Sequence, residues 1–398
     1  MDRRRFLQGL GAVSLLFPLN PIVAASTGFD DYVKQQNAGF NQYKAELEKD
    51  FTAYKKAIAE EFSRYKNQVK DVWGDQNIGS SSVLVQYSKD LNTRSIIDYE
   101  QGALTVELIE DKGAKGVGAK LRKALVAIAD STVKEAYEKD TLVQNIEKRI
   151  EREASHQETA KVKSEPLISD VLTGVPNPSK QQVTSAVVEV YKEGQATTRP
   201  SVQPGQKVFS FSIPLDKTNI SKKSEQFKPL VLKYAKQEKI DPALVFAIMH
   251  SESAFNPMAK SHVPAYGLMQ IVPASAGKDA SEKVYGKQRL LAPSYLYNSE
   301  NNIKMGCAYL NILYYRYLVK VENKESRTYC VIAAYNTGSG NVARAFGAGT
   351  NVSKAAVSIN NLSPQQVYDT LVSSLPYDET RNYMKKVTPR YKAYQSEV

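Results

Sequence analysis

The stretch from Asp241 to Pro257, DPALVFAIMHSESAFNP, places one acidic side chain on an otherwise apolar helix. Asp241 is a good N-cap and Pro242 suits the first helical position, so the stretch predicts a helix over 242–253. Its apolar stripe is formed by Leu244, Val245, Ile248 and Met249. Glu252 continues that stripe, which would place a carboxyl on the buried face at the end of a helix. Burial raises the pKa of a carboxyl, as a catalytic acid at neutral pH requires.

Helical patterns extend on both sides of this stretch, from about residue 224 to the C-terminus. Short turns separate the candidate helices, at 226–238, 242–253, 302–320, 326–335, 339–346, 364–372 and 379–391. We therefore predict a mostly α domain over 216–398.

An 11-residue repeat dominates the segment before residue 74. Its rows are Phe29, Phe40, Phe51, Phe62 and Trp73; Tyr32, Tyr43, Tyr54 and Tyr65; and Leu47, Ile58 and Val69. Eleven residues make three turns of a nearly straight helix, so all rows stay on one face. This predicts a long amphipathic helix of roughly 65 Å at 1.5 Å per residue. Its aromatic face fits a scaffold that packs on its own domain, or a surface that stacks on sugars or lies on a membrane.

Short β-branched or alternating runs follow Gly74, at 83–87, 94–99 and 103–109, with a later one at 208–213. Residues 117–153 have helical character. The stretch 155–206 is rich in Pro, Ser, Thr and Gln, and we predict an interrupted helix followed by a linker. Residues 26–215 are therefore predicted to form an α+β domain that contains the repeat helix.

The first 25 residues predict a twin-arginine export signal. Arg3-Arg4-Arg5-Phe6-Leu7 fits the R-R-x-F-L pattern, a short apolar stretch follows, and Val23-Ala24-Ala25 supplies small residues for cleavage. The apolar stretch is too short for a membrane span. We therefore expect a periplasmic or envelope-associated protein.

Charge and cysteine content narrow the function classes. The formal net charge is +11, but 53 basic and 42 acidic residues are well mixed, without the basic stripe of a nucleic-acid groove. We therefore expect no nucleic-acid partner, and we expect no cofactor. We also expect no metal, because His156, His250 and His262 are the only histidines and form no ligand pattern. His250 lies off the apolar stripe and is predicted at the surface.

Cys307 and Cys330 are the only cysteines, and either a disulfide or two buried thiols fits their position on neighbouring predicted helices.

Four short motifs follow one another in the C-terminal domain. They are Glu252-Ser253, Gly267-Leu268-Met269-Gln270, Ala334-Tyr335-Asn336 and Glu379-Thr380-Arg381-Asn382-Tyr383, and Ser261 stands nine residues after Glu252. In this order and spacing they resemble the lytic transglycosylase branch of the lysozyme-like superfamily, over about 223–395. With the repeat helix, the chain is most similar to the membrane-bound lytic murein transglycosylase C type. It departs from that type in lacking a lipobox cysteine and in having Pro264-Ala265-Tyr266 before Gly267, where the family usually has Gly-Ala.

The resemblance implies an SLT-type lysozyme-like fold and cleavage of peptidoglycan glycan strands. Glu252 would be the one acid/base that cuts the bond between N-acetylmuramic acid and N-acetylglucosamine, with formation of a 1,6-anhydro ring. Supporting or substrate-binding positions would be Ser253, Ser261, Gln270, Tyr335, Asn336 and Tyr383.

Two alternatives stay open from the sequence. The first is a lysozyme-like hydrolase that uses Glu252 with a water nucleophile, which would need a second carboxylate near the cleft or a water site. Glu282, Glu300 and Asp369 are more easily interpreted as surface charges. The second is an inactive cell-wall binding or assembly protein. Independently of both, residues 26–215 could contact the envelope or a membrane surface.

Overall fold

Helix α1 (Ser26–Trp73) is the first element of the computed structural model, which describes residues 26–261 and 264–397. The export signal predicted at 1–25 lies outside the described residues. The chain divides into two units, 1–46 and 47–398. In the first unit the described residues are helical. The second unit contains the rest of α1 and the other helices and strands. Across the described ranges, no helix combines the length and apolar character needed to cross a bilayer.

The part of α1 after residue 46 buries the face that the 11-residue repeat marks. Its buried side chains are Leu47, Phe51, Tyr54, Ala57, Ile58, Phe62, Tyr65, Val69 and Trp73. The Trp73 Nε1 donates to the Leu91 carbonyl at 2.7 Å, which fastens the end of the helix to a strand loop. Gly74 stops the helix in a left-handed conformation with φ 77°. The aromatic face of this part of α1 therefore packs within its own unit.

The N-terminal half contains an antiparallel sheet. In chain order, the elements after α1 are β1 (Val83–Tyr87), β2 (Thr93–Asp98), β3 (Ala103–Asp111), α2 (Val117–Ala129), α3 (Val133–Lys139), α4 (Thr141–Glu153), β4 (Gln157–Glu158), α5 (Ser169–Thr173), α6 (Lys180–Tyr191), β5 (Gln195–Pro200) and β6 (Gln206–Pro214). The described residues form a five-stranded sheet in the order β1-β2-β3-β6-β5. β3 pairs with β6 from Ala103 opposite Pro214 to Asp111 opposite Gln206.

The stretch 155–206 contains more regular structure than a linker. Ser179 caps α6 through a reciprocal capping box with Gln182. β5 forms the edge of the sheet, where Pro200 needs to donate no ladder hydrogen bond. The linker prediction was therefore wrong for these residues, because a polar edge strand lacks the apolar alternation that marks an inner strand.

The C-terminal half is helical. Its elements are α7 (Lys217–Glu238), α8 (Pro242–Ser253), a π-helical turn (Pro273–Gly277), α9 (Lys278–Tyr285), β7 (Leu290–Leu291), α10 (Pro293–Leu296), α11 (Ser299–Ile312), a second π-helical turn (Leu313–Tyr317), α12 (Lys324–Thr337), α13 (Ser339–Ala345), α14 (Val352–Asn360), α15 (Pro364–Ser374) and α16 (Asp378–Tyr394). The predicted helix at 302–320 is divided between α11 and a π-helical turn. The short helices α9, α10 and α14 were not predicted.

Helix α8 lies at the centre of this half, packed against α7 and α16, while α16 also packs on α12. Every residue from Ala243 to Met249 is buried. The predicted stripe was therefore too narrow, because neighbouring helices cover α8 on more than one side.

The two halves are joined by backbone and side-chain contacts. β4 pairs in parallel with β7, Gln157 opposite Leu290. The Asn256 side chain donates to the Ser81 carbonyl at 3.1 Å, and Ser299 hydrogen-bonds Glu165 at 2.5 Å. Residues 47–398 are one compact unit for this reason.

Cys307 on α11 and Cys330 on α12 are buried free thiols. Of the two alternatives that the sequence leaves open, the structure has the buried thiols.

Candidate active site

Glu252 occupies the last turn of α8, just before a strained reversal of the chain. Asp241 begins the helix by accepting a hydrogen bond from the Ala243 amide at 2.9 Å. After Ser253 the chain turns through Ala254 and Phe255, which both adopt left-handed φ values, 48° and 62°. Two buried non-glycine residues in this conformation are costly and persist only where the surroundings impose them. Such strain is typical of a functional site.

The environment of Glu252 favours its protonated form. Burial raises the pKa of Glu252 from 4.5 to about 7. Interaction with the Tyr383 hydroxyl opposes this rise in pKa, the negative charge of Glu379 adds to it, and the positive charge of Lys386 opposes it. The carboxyl is therefore poised to hold a proton near neutral pH and then release it.

Two tyrosines lie against this carboxyl. The Tyr383 hydroxyl is buried, interacts electrostatically with Glu252, and makes no hydrogen bond of normal geometry within the described part of the chain. Tyr335 also interacts with the charge of Glu252, and its hydroxyl donates to the Met269 carbonyl at 2.7 Å. The structure thus brings both predicted tyrosines to Glu252, from α16 and α12.

Ser253 is fully buried. Its hydroxyl lies 3.0 Å from the Met249 carbonyl and 2.8 Å from the Leu268 carbonyl, and hydrogen-bonds both. It connects the end of α8 to the 267–270 turn and supports the site without being exposed to substrate.

The turn at 267–270 is fixed by tight backbone geometry. Gly267 has φ 74°, and a Cβ there would lie 2.4 Å from the Leu296 carbonyl oxygen. Gln270 is also left-handed, with φ 47°. Its amide Nε2 donates to the Gly267 carbonyl at 3.2 Å.

Asn302 on α11 fixes the 267–270 turn through hydrogen bonds. It was not among the predicted site residues. It is fully buried, accepts from the Met269 amide at 2.8 Å and donates to the Tyr266 and Leu296 carbonyls at 2.8 and 2.9 Å. Its only sequence signal is a polar residue among the apolar positions of α11.

Ser261 and Asn336 are the two remaining residues that the sequence predicts for the site. The Ser261 amide donates to the Ala265 carbonyl at 3.3 Å and closes the loop before the 267–270 turn. Residues 262 and 263 of that loop lie outside the described ranges. The Asn336 side-chain oxygen accepts from the Thr380 hydroxyl at 2.7 Å, so that it links α12 to α16.

His250 was predicted at the surface, but it is mostly enclosed. Tyr394 lies within hydrogen-bonding distance of its Nδ1, at 3.1 Å, and its ring packs on Phe255. Burial and the charge of Arg390 lower the pKa of His250 to about 4. The surface prediction was wrong in part, because α16 covers this side of α8 and leaves His250 only partly exposed. His250 is therefore neutral at physiological pH and does not compete with Glu252 as an acid.

Glu379 is the first residue of the fourth sequence motif, and its effect on the pKa of Glu252 was not predicted. It is exposed at the first turn of α16 and acts on Glu252 through its charge. Among the residues that the structure describes, no group of three or more His, Cys, Asp or Glu side chains could hold a metal ion.

Family models match two parts of the chain. The model described as "Transglycosylase SLT domain" matches residues 229–357. The model described as "Membrane-bound lytic murein transglycosylase C, N-terminal domain" matches residues 47–162.

Relatives match most of the chain. Proteins named membrane-bound lytic murein transglycosylase C, from Yersinia pestis (strain Pestoides F) and Yersinia pseudotuberculosis, are 34% identical over 332 residues, which is 82% of this chain and 87% of each relative. Solved structures match a smaller part. The lytic transglycosylase Slt of Pseudomonas aeruginosa, in an inactive mutant form, is 27% identical with a TM-score of 0.33. The 70 kDa soluble lytic transglycosylase of Escherichia coli is 29% identical with a TM-score of 0.32. Each of these two matches covers 43% of this chain and 24% of the solved chain.

Proposed function

We propose that Glu252 is the single catalytic acid and base of this chain, which belongs to the membrane-bound lytic murein transglycosylase C family and is a lytic transglycosylase of peptidoglycan. The observation that carries the proposal is the placement of Glu252 at the strained end of α8, where burial raises its pKa to about 7. A carboxyl with this pKa can both donate and accept a proton near neutral pH.

In the first step, protonated Glu252 donates to the glycosidic oxygen between N-acetylmuramic acid and N-acetylglucosamine. The bond from C1 to that oxygen breaks, and the oxygen of the 2-acetamido group stabilises the positive charge that develops at C1. The leaving chain departs with the proton, so Glu252 becomes a carboxylate.

In the second step, the Glu252 carboxylate takes the proton of the C6 hydroxyl of the same muramic acid residue. The C6 oxygen forms a bond to C1 and closes the 1,6-anhydro ring. The nucleophile is part of the substrate, and intramolecular attack corresponds to an effective molarity of about 10⁵ M or more in favourable cases. No second carboxylate is needed.

The other site residues take supporting roles in this proposal. Tyr383 from α16 and Tyr335 from α12 maintain the position and the pKa of the Glu252 carboxyl, since both lie within its electrostatic reach. Ser261 and Gln270 hydrogen-bond the substrate. Asn336, held by Thr380, orients the loop that follows α12. Ser253 fixes the 267–270 turn.

Digestion of purified sacculi by the wild-type chain and by Glu252→Gln tests the proposal. We expect wild-type muropeptides lighter by one water than reducing muropeptides, and no soluble product from the variant. Glu282→Gln, an exposed carboxylate on α9, is the matched control and should digest like the wild type. Reducing products would favour the hydrolase, for which Glu379 would be the acid to examine, and undiminished digestion by Glu252→Gln would exclude Glu252 as the acid.

Export and domain division are further parts of the proposal. The R-R-x-F-L pattern at Arg3 to Leu7 would export the chain to the periplasm, where its substrate lies, and the named relatives are membrane-bound. The division at residue 215 separates the sheet from α7, and the repeat face of α1 after residue 46 serves as the packing face of the N-terminal domain. A double Arg3→Lys, Arg4→Lys variant keeps the charge and should stay in the cytoplasm. Periplasmic recovery of that variant would contradict twin-arginine export.

A further inference from the structure

The segment from Lys260 to Ile271, which the structure describes except for residues 262 and 263, carries two of the predicted site residues, Ser261 near its start and Gln270 near its end. Isolated bridges pair Lys260 with Tyr266 and Tyr266 with Ile271. The amides of Tyr266 and Ile271 each donate to the other's carbonyl at 3.1 Å. Such a short hairpin has few hydrogen bonds of its own, so its position depends on what its side chains contact.

Lys260 anchors this segment, which we call the site hairpin, to the N-terminal half. Its Nζ lies 2.5 Å from Oδ2 of Asp140, and the two side chains are only 6% and 8% exposed. Asp140 stands between α3 and α4, and its other oxygen accepts from the Val143 amide at 3.1 Å as the N-cap of α4. One carboxylate oxygen of Asp140 therefore caps α4 in the N-terminal half. The other oxygen pairs with Lys260, the residue next to Ser261.

A second contact lies beside this pair. The ring of Tyr266 in the site hairpin packs edge-on against the ring of Tyr297, with centroids 5.6 Å apart. Tyr54 on α1 is buried within electrostatic reach of both, and the three hydroxyls make no hydrogen bond of normal geometry with the residues that the structure describes. The charge of Asp140 acts on both Tyr266 and Tyr297. The site hairpin is thus held at Lys260 and at Tyr266, in both cases by side chains that precede residue 215.

A buried ion pair contributes little net stability, because the cost of removing both charges from water offsets their attraction. It does fix geometry, because separating the two buried charges would leave each of them without its ionic partner, which is strongly destabilising. Lys260 and Asp140 belong to different halves, and the pair therefore sets where the site hairpin lies relative to α4. A pair placed one residue before Ser261 is better explained by positioning than by stability.

We propose that Lys260 and Asp140 form a positioning pair through which the N-terminal domain holds Ser261 and Gln270 opposite Glu252. The N-terminal domain is then a working part of the active site and not only a spacer. The inference rests on the proposed function, because it uses the roles assigned there to Glu252, Ser261 and Gln270.

Lys260→Met and Asp140→Asn test the pair in the full-length mature chain. Asn at 140 keeps the cap of α4, so only the charge is lost. We expect each variant to lower kcat on sacculi about tenfold or more at a temperature where circular dichroism shows it folded. Lys260→Arg should regain most of the turnover, because it restores the ion pair.

The double variant Lys260→Met, Asp140→Asn removes both buried charges and so avoids the unpaired charge that could unfold a single variant. We expect it to turn over no faster than the single variants, since the two residues act as one unit. Lys163→Met is the matched control. It breaks the ion pair with Glu300 at 3.1 Å, which also joins the two halves but lies on the surface, and should leave kcat unchanged.

A folded double variant with wild-type kcat would overturn the positioning role, as would single losses that multiply in the double variant. The products of every active variant should keep the same mass. Failure of the proposed function would instead appear as reducing products from the wild type, so the two failures are distinguishable.

Discussion

Replacing Glu252 with Gln should stabilise the protein at alkaline pH. The pKa of Glu252 is about 7 in the folded chain against an ordinary value of 4.5. Between these values the folded state binds a proton that the unfolded state releases, so stability falls as pH rises through this window. One pKa unit corresponds to about 1.36 kcal/mol, so the ionised carboxyl destabilises the native state by on the order of 3 kcal/mol at pH above 7.

Glutamine has nearly the same shape and does not ionise. We therefore expect Glu252→Gln to unfold at higher urea concentration than the wild type at pH 8, by on the order of 3 kcal/mol in the free energy of unfolding, and to differ little at pH 4.5. Circular dichroism during urea titration at both pH values measures this. Glu282→Gln serves as the exposed control and should show no such pH-dependent difference. Equal differences at the two pH values, or a wild type that is the more stable at pH 8, would refute the burial of an ionisable Glu252.

Four further variants test the surroundings of Glu252. Glu379→Gln should lower the pKa of Glu252 and move the alkaline limb of the pH–rate profile to lower pH, whereas Lys386→Gln should move it to higher pH, each by about one unit or less; shifts in the same direction would contradict the assignment. Ser253→Ala leaves a buried carbonyl unsatisfied and should cost about 1–3 kcal/mol in urea titration, and no loss would mean that the carbonyl finds another donor. Gly267→Ala has no space for its Cβ and a left-handed φ, so we expect a lower Tm and at least tenfold lower kcat; a wild-type Tm would show that the turn relaxes freely.

The sequence predicts α8 to the residue because its end signals are local. Asp241 and Pro242 begin the helix, and the last helical residue is Ser253, as predicted. The three inner strands of the sheet were also located to within two residues at each end, since alternation and flanking turns mark them. Helix caps and strand alternation depend on residues close together in the sequence, so the sequence alone predicts them.

What the sequence does not predict depends on distant parts of the chain. The left-handed Ala254 and Phe255 have no local signal, because neither is a glycine or an asparagine. Asn302 and Asp140 act on the 260–271 region from 31 or more residues away, and a polar residue in a helix or loop does not reveal its partner. Asn302 acts within the C-terminal half, whereas Asp140 acts across the two halves, and in both cases the partner is set by the tertiary fold.

Digestion of sacculi in heavy-oxygen water tests the central claim most directly. If the C6 hydroxyl closes on C1 with Glu252 as its base, no oxygen from water enters the product, and anhydro muropeptides have the same mass in heavy-oxygen and ordinary water. A hydrolase would place one heavy oxygen at C1 of each new muramic acid end. Unlabelled anhydro products that disappear with Glu252→Gln are the result we predict, and labelled reducing ends from the wild type would contradict the single-carboxylate mechanism.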